Sequence, residues 1–71
     1  MTVVSIYHLL YDEFVMYIDG EFYKRRDNYE LPNVLVNVIN EYDNVEASIE
    51  TINASGDHCP KDETDFLNYN K

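Results

Sequence analysis

An Asp-Gly pair between two β-prone runs is the feature that most restricts the fold of this chain. Residues 14–18 (Phe-Val-Met-Tyr-Ile) precede Asp19-Gly20, and residues 21–25 (Glu-Phe-Tyr-Lys-Arg) follow it. Asp-Gly favours a two-residue turn with both central residues at positive φ, because the twist of that turn matches the twist of the flanking strands. The sequence therefore predicts a β-hairpin. Its expected pairs are Ile18 with Glu21, Tyr17 with Phe22 and Met16 with Tyr23.

The segment before the hairpin, residues 3–11, is β-branched and aromatic and predicts a first strand. A turn at Asp12-Glu13 would bring this strand back onto Phe14. One sheet face would then carry Tyr7, Leu9, Tyr11, Phe14, Met16 and Ile18, and the other Val4, Ile6, His8, Leu10, Val15, Tyr17 and Phe22. A short N-terminal helix is the alternative, because apolar residues also repeat at helical spacing here.

The hydrophobic period changes after Glu30. Apolar side chains recur at i, i+3, i+4, i+7, i+8 and i+11, namely at Leu31, Val34, Leu35, Val38, Ile39 and Tyr42. This spacing predicts a half-buried helix from about Leu31 to Tyr42, with Pro32 in the first turn, where proline is tolerated. Residues 45–52 then alternate apolar and polar side chains, which is typical of a strand covered on one face. The side chains expected to point inward are Val45, Ala47, Ile49 and Thr51.

These elements predict an α+β fold in the order β-β-β-α-β. We expect a small, mainly antiparallel sheet of three or four strands with one amphipathic helix on one face. Residues 1–56 would form one compact domain, and residues 57–71 a loop followed by a short helix or a docked tail. One helix cannot cover both faces of the sheet. Either the C-terminal segment, a second subunit or a partner must therefore cover the second face.

The size of the chain and its motifs argue against an enzyme. A chain of 71 residues buries only about 60% of its unfolded surface, which argues against two lobes around a deep cleft. Asp57-His58-Cys59 contains metal-binding and nucleophilic residue types, but neither CxxC nor HxxxH spacing accompanies them. We therefore predict no enzymatic activity, no cofactor and no metal site.

The charge is strongly acidic and unevenly distributed. The net charge is −9, and residues 27–60 hold seven acidic residues with no Lys or Arg. A surface of this sign repels phosphate backbones and anionic lipid head groups and attracts basic protein surfaces. We expect neither direct nucleic-acid binding nor membrane binding, and we expect a partner with a basic surface.

The sequence also predicts a cytoplasmic location. The single cysteine, Cys59, cannot form an internal disulfide. Residues 1–10 lack the basic start of a signal peptide, and no apolar run approaches 18 residues.

In size, charge and lack of a catalytic motif, the chain is similar to the small acidic inhibitors encoded by bacteriophages and mobile elements, some of which mimic DNA. The resemblance implies a protein-binding module that occupies a basic surface, such as a nucleic-acid-binding cleft, on a host or partner protein. The alternative is a structural or regulatory homodimer that buries the second sheet face against its twin. The residues expected to contact the partner are Glu41, Asp43, Glu46 and Glu50 as charges, with Tyr17 and Phe22 as aromatic anchors.

Overall fold

A computed structural model describes residues 1–70, which form a four-stranded sheet and two α-helices. The strands are β1 (Thr2–His8), β2 (Glu13–Ile18), β3 (Glu21–Asp27) and β4 (Val45–Thr51). A 3₁₀ turn (Asn28–Glu30) leads into α1 (Leu31–Glu41), and α2 (Glu63–Asn70) follows β4 after a loop. The predicted α+β fold and its β-β-β-α-β order are confirmed.

The sheet is mixed, with the strand order β3-β2-β1-β4. The pairs β1–β2 and β2–β3 are antiparallel, and β1–β4 is parallel. The parallel pair arises because α1 carries the chain from one edge of the sheet across to the other, so that β4 runs in the same direction as β3 and β1. The two edges of the sheet are therefore β3 and β4.

The Asp19-Gly20 hairpin is confirmed. Both turn residues have positive φ, 50° for Asp19 and 84° for Gly20. The pairs Ile18–Glu21 and Tyr17–Phe22 form as predicted, but Met16 pairs with Lys24. The predicted Met16–Tyr23 pair is wrong because a β-bulge adds one residue to β3 at this point.

A first strand before the hairpin is confirmed, and the alternative of an N-terminal helix is wrong. The expected turn at Asp12-Glu13 is also wrong, because His8 pairs with Phe14 and the connecting loop is residues 9–12. This longer loop changes the register, and an odd shift in register moves side chains to the opposite face of a sheet. Tyr7 consequently lies in a different apolar cluster from Phe14.

Two apolar clusters, one on each face of the sheet, form the core. The cluster under α1 contains Val4, Ile6, Phe14, Met16, Ile18, Val34 and Val38. The cluster on the other face contains Tyr7, Leu9, Val15, Tyr17, Ile52, Ala54 and Phe66. The C-terminal segment therefore covers the second face of the sheet, and Phe66 of α2 is fully buried there.

The C-terminal segment ends in the short helix that the sequence allowed. The backbone N–H groups of Thr64 and Asp65 donate to Oδ1 of Asp62 over 2.8 and 3.3 Å, an N-cap that satisfies donors the helix itself cannot use. Just before the helix, the N–H of Phe22 donates to the carbonyl of Lys61 over 2.7 Å. The segment thereby covers part of the outer edge of β3. None of the helices within residues 1–70 is long and apolar enough to cross a membrane.

Candidate partner-binding surfaces

Strand β4 is exposed on both of its faces. Val45 is half-buried and the other six residues of the strand are exposed, including Ile49 at 59%. The prediction that Ala47, Ile49 and Thr51 point into the core is wrong. The reason is positional, because the buried residues of α1 pack against side chains of β1 and β2, and β4 lies beyond them at the edge of the sheet.

The outer edge of β4 also presents unpaired backbone groups. The N–H of Thr2 donates to the carbonyl of Asn44, and the N–H of Ile52 donates to the carbonyl of His8, each over 3.0 Å. The even-numbered residues of this segment therefore bond to β1. Because bonding residues alternate along a strand, the N–H and C=O groups of residues 45, 47, 49 and 51 point away from β1. Within residues 1–70 no backbone hydrogen bond reaches this edge.

Two of the four predicted contact charges lie on β4. Glu46 and Glu50 are exposed on the face that carries α2, opposite Val3 and Tyr7 of β1. Four strand rises separate them, about 13 Å. Glu50 is close enough to Tyr7 to contribute to the raised pKa of that tyrosine, after burial and Glu63.

The other two predicted charges lie elsewhere. Glu41 ends α1 on the opposite face of the sheet, where burial and then this carboxylate raise the pKa of Tyr23 in β3. Asp43 is exposed in the loop between α1 and β4. The structure therefore does not bring Glu41 together with Glu46 and Glu50.

The two predicted aromatic anchors, Tyr17 and Phe22, differ in their exposure to solvent. Tyr17 is fully buried, so its assignment as a surface anchor is wrong. Its ring packs 5.1 Å from that of Phe66, and its hydroxyl donates to the carbonyl of Pro60 over 2.6 Å, because the C-terminal segment covers this face. Phe22 is 38% exposed beside Tyr17, but it lies on β3, three interstrand spacings or about 14 Å from β4.

A second surface, which the sequence prediction missed, is a pocket of about 410 Å³ between the loop after β1 and the turn after β3. It is lined by Tyr11, Asp12, Asp27, Asn28 and Tyr29. The N–H of Asn28 donates to the carbonyl of Asp12 over 2.8 Å and holds the two segments together. Both tyrosines are largely exposed to solvent, Tyr11 at 81% and Tyr29 at 78%. Both segments, Tyr11-Asp12 and Asp27-Asn28-Tyr29, are visible in the sequence, but only the pairing of β2 with β3, which sets Glu13 opposite Asp27, brings them together.

The pocket contains two residues with an unfavourable backbone conformation and one buried polar atom without a hydrogen-bond partner in the described part of the chain. Tyr11 and Asp12 have φ of 65° and 58°, a left-handed conformation that costs of order 1 kcal/mol for each non-glycine residue. Oδ1 of Asn28 is buried and accepts no hydrogen bond from any residue in 1–70. Buried polar atoms are nearly always paired in folded proteins, so this unused acceptor in a residue that lines the pocket is an exception.

The Asp57-His58-Cys59 segment lies in the loop between β4 and α2. Burial raises the pKa of the Cys59 thiol, which donates to the carbonyl of Gly56 over 3.1 Å, and a nucleophilic cysteine needs the opposite shift. The ring of His58 packs against Tyr69 at 4.3 Å. In the part of the chain that the structure describes, no three His, Cys, Asp or Glu side chains are grouped to hold a metal ion.

Comparison with protein-family models, with curated proteins and with solved structures gives no match for this chain. Any function must therefore be inferred from the surfaces described above. These surfaces are an acidic, open sheet edge at β4 and an acidic pocket with aromatic walls between Tyr11 and Tyr29.

Proposed function

We propose that this chain is a non-enzymatic protein-binding module that engages a basic surface of a host or partner protein. The observation that supports the proposal is the open edge of β4, with unpaired backbone groups and two exposed glutamates. An exposed strand edge is a template onto which an extended segment of another chain can add. Most natural edges are short, twisted or covered, as the edge of β3 is by residues 61–63.

The charge on β4 selects the kind of segment that can add. Residues directly opposite on paired strands lie close together, and opposite charges there stabilise the pair. A segment with Lys or Arg at alternate positions would place those cations beside Glu46 and Glu50. Its remaining side chains would lie on the other face, beside Ala47 and Ile49. The acidic charge would also increase the rate of association with a basic partner.

The same charges disfavour pairing of β4 with a second copy of itself. An antiparallel pair centred on Ser48 would set Glu46 of each copy opposite Glu50 of the other, and like charges directly opposite destabilise a sheet. The homodimer alternative requires an uncovered second sheet face, and the C-terminal segment occupies that face. A basic partner therefore fits the surface better than a twin.

We propose further that the module works as an inhibitor inside the cell, like the phage and mobile-element proteins it resembles in size and charge. A cytoplasmic location suits a lone free thiol at Cys59. DNA mimicry is the narrower form of the proposal, in which the basic surface is a nucleic-acid-binding cleft. That form requires that DNA and this protein compete for the same partner.

The test compares two double charge reversals, one on β4 and one away from β4. The tagged protein is used to capture partners from a lysate of the source cells at low and moderate salt, beside the double variants Glu46→Lys/Glu50→Lys and Glu21→Lys/Asp65→Lys. Both variants change the net charge equally, but only the first alters β4. We expect salt-sensitive capture that the first variant abolishes and the second retains.

Equal loss of partner capture with both variants would overturn the proposal, because it would show that partners are attracted by the net charge of the protein and not by a site on β4. Light scattering on the wild-type protein provides the second arm. A stable dimer whose β4 amides become protected with concentration would favour the homodimer. Once a partner is identified, addition of duplex DNA tests for mimicry by displacement.

A further inference from the structure

We infer that the pocket between Tyr11 and Tyr29 is a binding site for the guanidinium group of an arginine side chain. This inference rests on the proposed function, since the arginine would be presented by the basic partner. It assigns a ligand chemistry to a second surface that is separate from the β4 edge.

The walls of the pocket suit a cation. The faces of tyrosine rings attract cations placed over them, and arginine is the cation most often found there. Tyr11 and Tyr29 are the most exposed tyrosines of the chain at 81% and 78%, and both line the pocket. Large aromatic side chains held in solvent around a cavity are typical of recognition sites.

The two carboxylates of the pocket are acceptors, which is what a guanidinium requires of its partners. The carboxylates of Asp12 and Asp27 line the pocket, and within residues 1–70 neither forms a salt bridge or a side-chain hydrogen bond. A guanidinium carries five N–H donors in a plane and no acceptor, so it can satisfy several of these oxygens at once.

The cations within residues 1–70 do not fill this role, since none of them lines the pocket. Arg25 is paired with Glu13 over 2.7 Å, and Nη1 of Arg26 donates to the carbonyl of Arg25 over 2.8 Å. Neither residue lines the pocket. The two pocket carboxylates therefore remain available to an external cation.

Arginine fits this arrangement better than lysine. Its planar group stacks against rings and bonds carboxylates bidentately, and it is less strongly hydrated than an ammonium group. A lysine side chain would meet the same charges but has no planar group that can stack on a tyrosine ring. The site should therefore discriminate between the two cations as well as between a cation and a neutral isostere.

The test uses three small probes: Nα-acetyl-arginine amide, Nα-acetyl-lysine amide and the neutral Nα-acetyl-citrulline amide. Each is titrated into the full-length ¹⁵N-labelled protein at low salt and followed by NMR. We expect saturable shifts at the backbone of residues 11, 12 and 27–29 and at the Asn28 side-chain amide, with a dissociation constant of about 1–10 mM for arginine amide. Lysine amide should bind more weakly, and citrulline amide should give no saturable shift.

Pocket variants separate a site from general attraction. Tyr29→Leu keeps the apolar bulk but removes the ring, and Asp27→Asn removes one charge. Either should weaken arginine binding about fivefold. Asp65→Asn on α2 removes the same charge at an exposed position outside the pocket and should leave arginine binding unchanged. Because these side chains are exposed, dispersed NMR spectra of each variant verify folding before titration.

Equal binding of citrulline amide, or unchanged arginine binding in Tyr29→Leu, would overturn the arginine site. That outcome leaves the β4 proposal standing, since the lysate test depends on Glu46 and Glu50 and not on the pocket. Conversely, loss of β4-dependent capture with intact arginine binding would remove the proposed β4 interface and keep the pocket.

Discussion

The hydroxyl of Tyr7 donates a hydrogen bond to the carboxylate of Glu63 and so joins the interior strand β1 to α2 across 56 positions of the chain. The ring of Tyr7 also packs 5.3 Å from the ring of Phe66, and both side chains are buried. Helix α2 is thus held by apolar packing and by a hydrogen bond to a charged group, the stronger class of such bonds. A helix of eight residues would be unstable alone, so these contacts determine that it forms.

Replacing Tyr7 by Phe should lower the free energy of unfolding by about 1.5–3 kcal/mol. The ring and its packing are retained, but the hydrogen bond to the carboxylate is lost and Glu63 is left without its donor. Urea denaturation followed by circular dichroism measures the change. Tyr29→Phe, which alters an exposed hydroxyl, is the control and should change stability by less than about 0.5 kcal/mol. Equal effects of the two substitutions would show that the Tyr7–Glu63 bond adds nothing.

Stability should fall steeply as the pH rises above about 10. Burial and then neighbouring Glu63 raise the pKa of Tyr7, and burial chiefly raises the pKa of Tyr17. Above the ordinary tyrosine pKa of about 10, the unfolded chain loses these two protons while the folded chain keeps them. The stabilisation is therefore complete below pH 10 and is lost as the pH rises, at about 1.4 kcal/mol per pH unit for each tyrosine.

Denaturation midpoints measured between pH 8 and pH 11.5 test this expectation. The variant Tyr7→Phe removes one of these groups, so its slope above pH 10 should be smaller than that of the wild type by about 1.4 kcal/mol per pH unit. A wild-type slope near zero in this range would mean that both tyrosines ionise freely in the folded protein.

Gly56 and Gly20 should differ in their tolerance of alanine although both have positive φ. Gly56 has φ of 76° and is buried, and an added Cβ would collide with Cδ1 of Leu9. Gly20 has φ of 84° with nothing within 4 Å of an added Cβ. Gly20→Ala therefore meets only the backbone cost of about 1 kcal/mol, whereas Gly56→Ala adds an overpacking cost of about 1–3 kcal/mol.

Thermal or urea unfolding of the two glycine variants measures this difference directly. We expect the Gly56 variant to be clearly the less stable, because Leu9 belongs to the second core and cannot move without disturbing it. Equal stabilities would indicate that the loop of residues 52–60 shifts freely over that core.

Local signals in the sequence were sufficient for most of the fold. The Asp19-Gly20 turn depends on two adjacent residues, and the helix from Leu31 depends on a period that repeats within eleven residues, so both were predicted. The bulge opposite Met16 was not predicted, because no local residue signal marks it; the extra residue, Tyr23, packs against the cluster under α1. The β1–β2 register failed for a similar reason, since the loop of residues 9–12 contains two left-handed non-glycine residues that no turn rule anticipates.

The candidate sites were harder to predict than the fold. Exposure of β4 and burial of Tyr17 both depend on where α1 and α2 lie over the sheet, and alternation along a strand does not contain that information. Glu46 and Glu50 were identified because they follow one another at even spacing on one strand. The Tyr11–Tyr29 pocket combines residues from two loops, so only the register of the sheet reveals it.

The amides of β4 should exchange with solvent in an alternating pattern. The N–H groups of residues 46, 48, 50 and 52 face β1, as the hydrogen bond from Ile52 to the carbonyl of His8 shows, and should be protected from exchange. The N–H groups of residues 45, 47, 49 and 51 face outward and should exchange rapidly. Amide hydrogen exchange followed by NMR resolves both sets, and the even-numbered amides serve as the internal control. If the odd-numbered amides are protected and stay protected on dilution, the edge is covered within one chain. If their protection disappears on dilution, the edge pairs with a second copy. Rapid exchange that slows only when a basic partner is added is the result that strand addition at β4 requires.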